Sequence, residues 1–201
     1  MKYKEMEQLA KSDFKDHVAK YADQGDMKRL EWNKPGTRMF GMDVIFHGNF
    51  VIICGDLGEA VYECTWKTSL KSCADNNFSY FLGKLRTVSY GKHKWDQDDC
   101  NEDIEEWKKD RISEIKEEIE EYPGDKEHYE KKIAAINEFV DCAQTDFKER
   151  WINYVADQDL DKLGEDCDTE LFKAGERLNS RLYLYHIALK MAWEQIEKEA
   201  I

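Results

Sequence analysis

No apolar run in this 201-residue chain approaches the length that crosses a bilayer, so the sequence gives no reason to expect a membrane partner. Its first residues, MKYKEMEQLAKSDF, carry acids among their apolar positions and lack the unbroken apolar centre of a signal peptide. With no export signal, the expected compartment is cytoplasmic. The six cysteines (Cys54, Cys64, Cys73, Cys100, Cys142 and Cys167) are then expected to be thiols.

Close cysteine or histidine pairs are missing as well. Cys54, Cys64 and Cys73 are far apart in sequence, with His47 and His93 flanking them, whereas zinc sites announce themselves through C-x-x-C spacing. The turn Gly55-Asp56-Leu57-Gly58 lacks the GK[ST] ending of a phosphate loop and joins strand to strand. It is read as a turn, with Gly55, Asp56 and Gly58 as a possible binding turn. No Ser-His-Asp or Cys-His arrangement can be read. No catalytic residue, cofactor or metal is therefore expected. Internal repeats and low-complexity linkers are also lacking.

What is present is a large aromatic and apolar complement under heavy charge. Apolar residues make up 41% of the chain and aromatics 12%, enough for a real core. Charged residues make up 36%, with a formal net charge of −13, which disfavours direct binding to nucleic acid by repulsion from phosphate.

Periodicity divides the chain. Tyr3, Met6, Ala10, Phe14, Val18 and Tyr21 fall at helical spacing and predict one helix to about residue 22, with Gly25 as its stop. Phe40, Met42, Val44 and Phe46 recur every second residue, as a half-buried strand requires. Gly48-Asn49 is a hairpin signal, followed by the apolar run Phe50 to Cys54 and a further strand from Ala60 to Trp66. A meander of three or four antiparallel strands is expected, with a short helix from Phe78 to Leu85 covering one face.

Beyond about residue 95 the period is helical. Ile104, Trp107, Ile112, Ile115, Ile119 and Tyr122 form one stripe, which Pro123-Gly124-Asp125 ends. Tyr129, Ile133, Ile136, Val140, Ala143, Phe147, Trp151 and Tyr154 form a second, so an antiparallel helical hairpin is expected. Leu171, Gly175, Leu178, Leu182, Tyr185, Leu189, Ala192 and Ile196 predict a third long helix. The expected fold is α+β: an N-terminal helix and small antiparallel sheet over 1–95, then an acidic helical bundle over 96–201, as two domains or one continuous one.

Charge follows the same division. Residues 1–95 hold 15 bases and 12 acids; residues 96–201 hold 15 and 31. Asp98, Asp99, Glu102, Asp103 and Glu106 crowd the start of the first bundle helix, where carboxylates favour the helix dipole. They read either as a solvated helix face or as a surface that imitates a nucleic-acid backbone and docks on a basic groove. Lys108, Lys109, Arg111 and Lys116 interrupt the pattern. Residues 157–168 echo an EF-hand loop, but Lys162 stands where the turn glycine belongs and Asp168 where the bidentate glutamate belongs. An acidic inter-helix loop is the expectation there.

Three segments carry a resemblance: Trp32-Asn33-Lys34-Pro35-Gly36, the run Phe46 to Gly58 with its Gly55-Asp56-Leu57-Gly58 turn, and Tyr80-Phe81-Leu82-Gly83-Lys84-Leu85. Over about residues 30–90 they resemble small proteins encoded by phages and prophages. By analogy of class, the resemblance implies a stoichiometric inhibitor of host defence, of anti-CRISPR or anti-restriction type, acting in the host cytoplasm. Its partner would be a host protein or ribonucleoprotein with a basic surface. Two other readings stand beside it: an enzyme or sponge for a nucleotide or small signalling molecule, with a pocket between sheet and bundle, and a structural or regulatory homodimeric phage module.

Overall fold

The computed structural model describes residues 3–163 and 167–199, with the side chains of residues 161 and 167–169 left aside. Two compact units share the chain: residues 1–92 together with 178–201, and residues 93–177.

The first unit is a six-stranded antiparallel sheet in simple sequence order, β1 to β6. The strands are β1 (Val18–Gln24), β2 (Met27–Asn33), β3 (Met42–His47), β4 (Phe50–Gly55), β5 (Ala60–Glu63) and β6 (Leu85–Val88). Register makes the core. Leu30, Val44, Ile53 and Ala60 stand opposite one another in one row across β2–β5, and Phe46, Val51 and Tyr62 in the next. Every one of these side chains is buried. Period two places them all on one face, and a one-residue slip would turn the whole set to water.

That face is covered by α1 (Tyr3–Asp13), α2 (Leu70–Ala74), α3 (Phe78–Leu82) and α8 (Ser180–Glu199). From Tyr185 to Leu189 five consecutive residues of α8 are buried, so over that stretch the helix is enclosed on all sides rather than along a stripe. The sheet's other face presents Lys20, Arg29, Glu31, Asp43, Ile45, Ile52 and Cys54 and, among the described residues, carries no helix of this unit.

The second unit holds β7 (His93–Trp95), paired with β8 (Glu176–Leu178), and the helices α4 (Gln97–Glu121), α5 (Lys126–Asp141), α6 (Lys148–Ala156) and α7 (Cys167–Lys173). A 3-10 turn at Pro123–Asp125 joins α4 to α5. The two run antiparallel: Trp107, before the turn, meets Phe139, as far beyond it, with ring centroids 5.8 Å apart. Ile104, Ile115, Ile136, Phe139, Trp151, Val155 and Leu171 form a separate core. The Trp151 indole donates to the Leu171 carbonyl at 2.8 Å, so its buried N–H is satisfied.

Several expectations are corrected. The first helix ends at Asp13, and Val18 and Tyr21 belong to β1. Gly25, with φ 80, turns the β1–β2 hairpin instead of stopping a helix. The sheet has six strands, not three or four. The second bundle stripe is broken between Asp141 and Lys148, and the third is broken at Gly175, also at φ 80, with β8 after it. Most consequential, residues 178–201 return to the sheet unit, so the helical unit is 93–177 and not 96–201.

Among the described residues no helix is long and apolar enough to cross a membrane. Cys54, Cys64, Cys73, Cys100 and Cys142 are free thiols.

Candidate interaction surface

Helix α4 begins at Asp96, whose carboxylate accepts from the backbone N–H groups of Asp98 at 2.9 Å and Asp99 at 3.2 Å. Such a cap satisfies two donors that the helix itself cannot, and the carboxylates in the first turn suit the dipole. Twenty-five residues then run without a break. At 1.5 Å per residue that is a rod about 38 Å long. Cys100, Ile104 and Ile115 are buried along its inner side, with Trp107, Ile112 and Ile119 half-buried beside them.

A row of one charge winds along it. Asp98, Glu102, Glu106, Asp110, Glu114 and Glu118 follow at every fourth position, and all six are exposed. Residues four apart on a helix have Cβ atoms about 6 Å apart, so the six form a continuous winding ridge about 30 Å long. Glu114 is paired with Arg111 at 2.8 Å; the other five make no ion pair among the described residues. Helix α5 supplies an internal contrast. Its i,i+4 pairs alternate in sign, Lys126 with Glu130 at 3.6 Å and Glu127 with Lys131 at 2.8 Å. Like charges at this spacing destabilise a helix by about 0.2–0.5 kcal/mol per pair and opposite charges stabilise it by as much. In one helical hairpin, then, α5 opens on two opposite-charge pairs, while α4 carries a row in which only Glu114 is paired among the described residues.

Of the five acids singled out in the sequence, Asp98, Glu102 and Glu106 lie on this ridge. Asp103 and Asp99 do not. Both oxygens of Asp103 are taken by the Arg177 guanidinium, at 2.6 and 2.7 Å, and Oδ2 also accepts from the Gly175 N–H at 2.8 Å. Burial works against ionising Asp103, but the bonds from Arg177 and Gly175 outweigh it and hold its pKa below the usual carboxylate range. Arg177 Nε reaches Asp99 at 3.4 Å. These two acids fasten β8 to the start of α4. The sequence reading missed Asp110, Glu114 and Glu118; their signal was the unbroken fourfold spacing.

The Gly55–Gly58 turn is a docked structural turn. Asp56 accepts from the Phe40 N–H at 2.8 Å and donates its own N–H to the Gly41 carbonyl at 3.0 Å. Phe40 is held at φ 56, a left-handed conformation that a bulky residue adopts only under such constraint. Gly55 sits at φ 142, and a Cβ there would lie 2.5 Å from the Gly41 oxygen, so neither conformation nor space admits another residue. Tyr185, from α8, donates to the Leu57 carbonyl at 2.9 Å.

On the open sheet face two adjoining grooves, of about 560 and 470 Å³, share Lys20, Arg29, Glu31 and Asp43. One adds Ala22, Met27, Ile45 and Cys54; the other adds Lys34 and Arg38. Asp43 lies between Arg29 at 3.3 Å and Arg38 at 2.9 Å. Among the described residues no three His, Cys, Asp or Glu side chains gather as a metal site. Of the five acids in the calcium-loop reading over 157–168, the side chains at 161, 165 and 168 lie outside the described residues; within them, Lys162 pairs with Asp159 at 3.1 Å.

Comparison of the chain with protein-family models, with curated proteins and with solved structures finds no match.

Proposed function

We propose that this chain is a stoichiometric binding protein that docks the acidic ridge of α4 on the basic surface of a nucleic-acid-handling partner and thereby blocks it. The observation that carries this reading is the single-sign row Asp98–Glu102–Glu106–Asp110–Glu114–Glu118, of which only Glu114 is ion-paired among the described residues, beside a helix that opens on two opposite-charge pairs. A basic groove built for phosphate attracts such a row by the same Coulomb force that draws it to a duplex. The resemblance of residues 30–90 to small phage proteins points to a host defence complex of anti-CRISPR or anti-restriction type as the partner. The test is competition. A partner recovered from host lysate should lose its nucleic acid to the wild-type protein, and its direct affinity for that protein should fall steeply as salt rises. The variant Asp98→Lys/Glu102→Lys/Glu106→Lys/Asp110→Lys should not compete. Equal competition by both proteins defeats the reading.

A second reading rests on the open sheet face, where Lys20, Arg29, Lys34 and Arg38 line adjoining grooves together with Glu31 and Asp43. It makes the chain a sponge for an anionic small molecule such as a nucleotide. Millimolar nucleotide should then raise the melting temperature of the wild type and not of Lys20→Ala/Arg38→Ala; no rise in either ends this alternative.

A further inference from the structure

The sheet of the first unit ends on β1, and an end strand carries main-chain groups with no ladder partner. One residue of α8 meets them. The Ala19 N–H donates to Oε1 of Gln195 at 2.9 Å, and Nε2 of Gln195 donates to the His17 carbonyl at 2.7 Å. A carbonyl and the N–H two residues later, both bonded to one group, form the pattern of a parallel ladder. The Gln195 amide therefore stands where one residue of a seventh strand, opposite Val18, would stand.

The β1–β2 register fixes the rest of the edge. With the Ala19 N–H pointing outward, alternation turns the main-chain groups of Tyr21 and Asp23 outward too, while Val18, Lys20 and Ala22 bond to β2. Nothing among the described residues bonds to the outward groups of Tyr21 and Asp23.

We propose that Gln195 is a built-in stop on a strand-docking edge: it occupies the Ala19 position so that a second copy of this chain cannot pair there, β1 to β1. The edge is self-complementary. Two antiparallel β1 strands centred on Tyr21 set Ala19 of each opposite Asp23 of the other and Lys20 opposite Ala22, so no like charges face. That pairing offers about six main-chain hydrogen bonds. With Gln195 in place both Ala19 ends are closed, and only the central pair remains.

The variant Gln195→Met keeps the length and apolar stem of the side chain and removes the amide. In sedimentation velocity over a concentration series it should form a dimer that the wild type does not form at the same concentration. Adding Asp23→Pro, which deletes one outward N–H and no ladder bond, should suppress that dimer. Sedimentation of Gln195→Met indistinguishable from wild type, or a dimer indifferent to the proline, overturns the proposal. A second measurement needs no variant: in the wild-type protein the Ala19 amide should exchange with solvent about tenfold more slowly than those of Tyr21 and Asp23. Equal rates at the three positions overturn it as well.

Discussion

His186 is buried in the sheet unit and bonded at both ring nitrogens. Its Nε2 faces the Asn76 carbonyl at 3.0 Å and must be the protonated nitrogen, so Nδ1 accepts from the Tyr3 hydroxyl at 2.7 Å. Phe78 and Phe81 pack against the ring, with centroids 5.7 and 5.5 Å away. Burial therefore pushes the imidazole pKa down to about 4, and it raises that of the Tyr3 phenol to about 12, so the phenol remains a donor throughout. Among the charged groups around the ring, Lys190 opposes protonation and Glu7 favours it, both weakly. A histidine whose folded pKa lies below its unfolded value takes up its proton more readily when unfolded. Its stabilisation is complete above about pH 6.5 and is lost as pH falls towards about 4, a change of about 3 kcal/mol. His17, stacked on Trp32 and likewise shifted down by burial, adds in the same direction. Urea titrations between pH 7.5 and 4.5 should show this loss. His186→Gln, which retains a donor and an acceptor, should show a smaller one. Identical pH slopes for the two proteins would mean that the imidazole plays no part.

At the scale of elements, the sequence showed which residues are buried more plainly than what they are buried against. The α4–α5 hairpin and the β3–β4 hairpin were legible because a turn signal, Pro123-Gly124 or Gly48-Asn49, sits where a clean period stops. The α1–β1 junction was not: Phe14, Val18 and Tyr21 keep helical spacing across a change to period two. The break between α5 and α6 hides for a similar reason. Phe147 lies in phase with Val140 and Trp151, yet it is extended at φ −143 and 61% exposed. The last helix is apolar enough to be central in any bundle, and nothing local says that it packs against α1 and β1, more than 160 residues earlier. The acids of α4 were half legible: charge density located the start of the helix, but only Arg177, distant in sequence, shows that Asp103 is committed within the fold. Membership is testable by truncation in each core. Leu182, in α8, lies in the sheet core, and Ile136, in α5, lies in the helical one. Leu182→Ala and Ile136→Ala should each cost about 2–5 kcal/mol. By segment-resolved hydrogen exchange, the first should loosen β2–β5 and the second α4–α6. Loss of protection in α4–α6 on truncating Leu182, with the sheet intact, would return α8 to the bundle.

At the scale of the whole molecule, charge is partitioned between the units. The sheet unit carries 17 basic and 15 acidic side chains, and residues 93–177 carry 13 and 28. Self-repulsion of that size destabilises a compact state, and the α4 ridge concentrates it. Removing like charges four apart should therefore stabilise the helical unit: Glu106→Gln with Asp110→Asn should raise its unfolding free energy by about 0.5–1 kcal/mol at low salt. The gain should shrink as salt screens the repulsion over a Debye length of about 8 Å at physiological ionic strength. Stability alone does not say what the row is for, because solubility charge would show the same gain. The two readings part on what the gain costs. If the ridge is a docking surface, the stabilised variant should bind its partner more weakly, chiefly through a slower association rate and a flatter salt dependence, since ridge charges steer the encounter. If the row serves only solubility, the variant should gain the same stability and keep wild-type association at every salt concentration. Measuring unfolding free energy and association rate on one pair of proteins separates a surface shaped by a partner from one shaped by water.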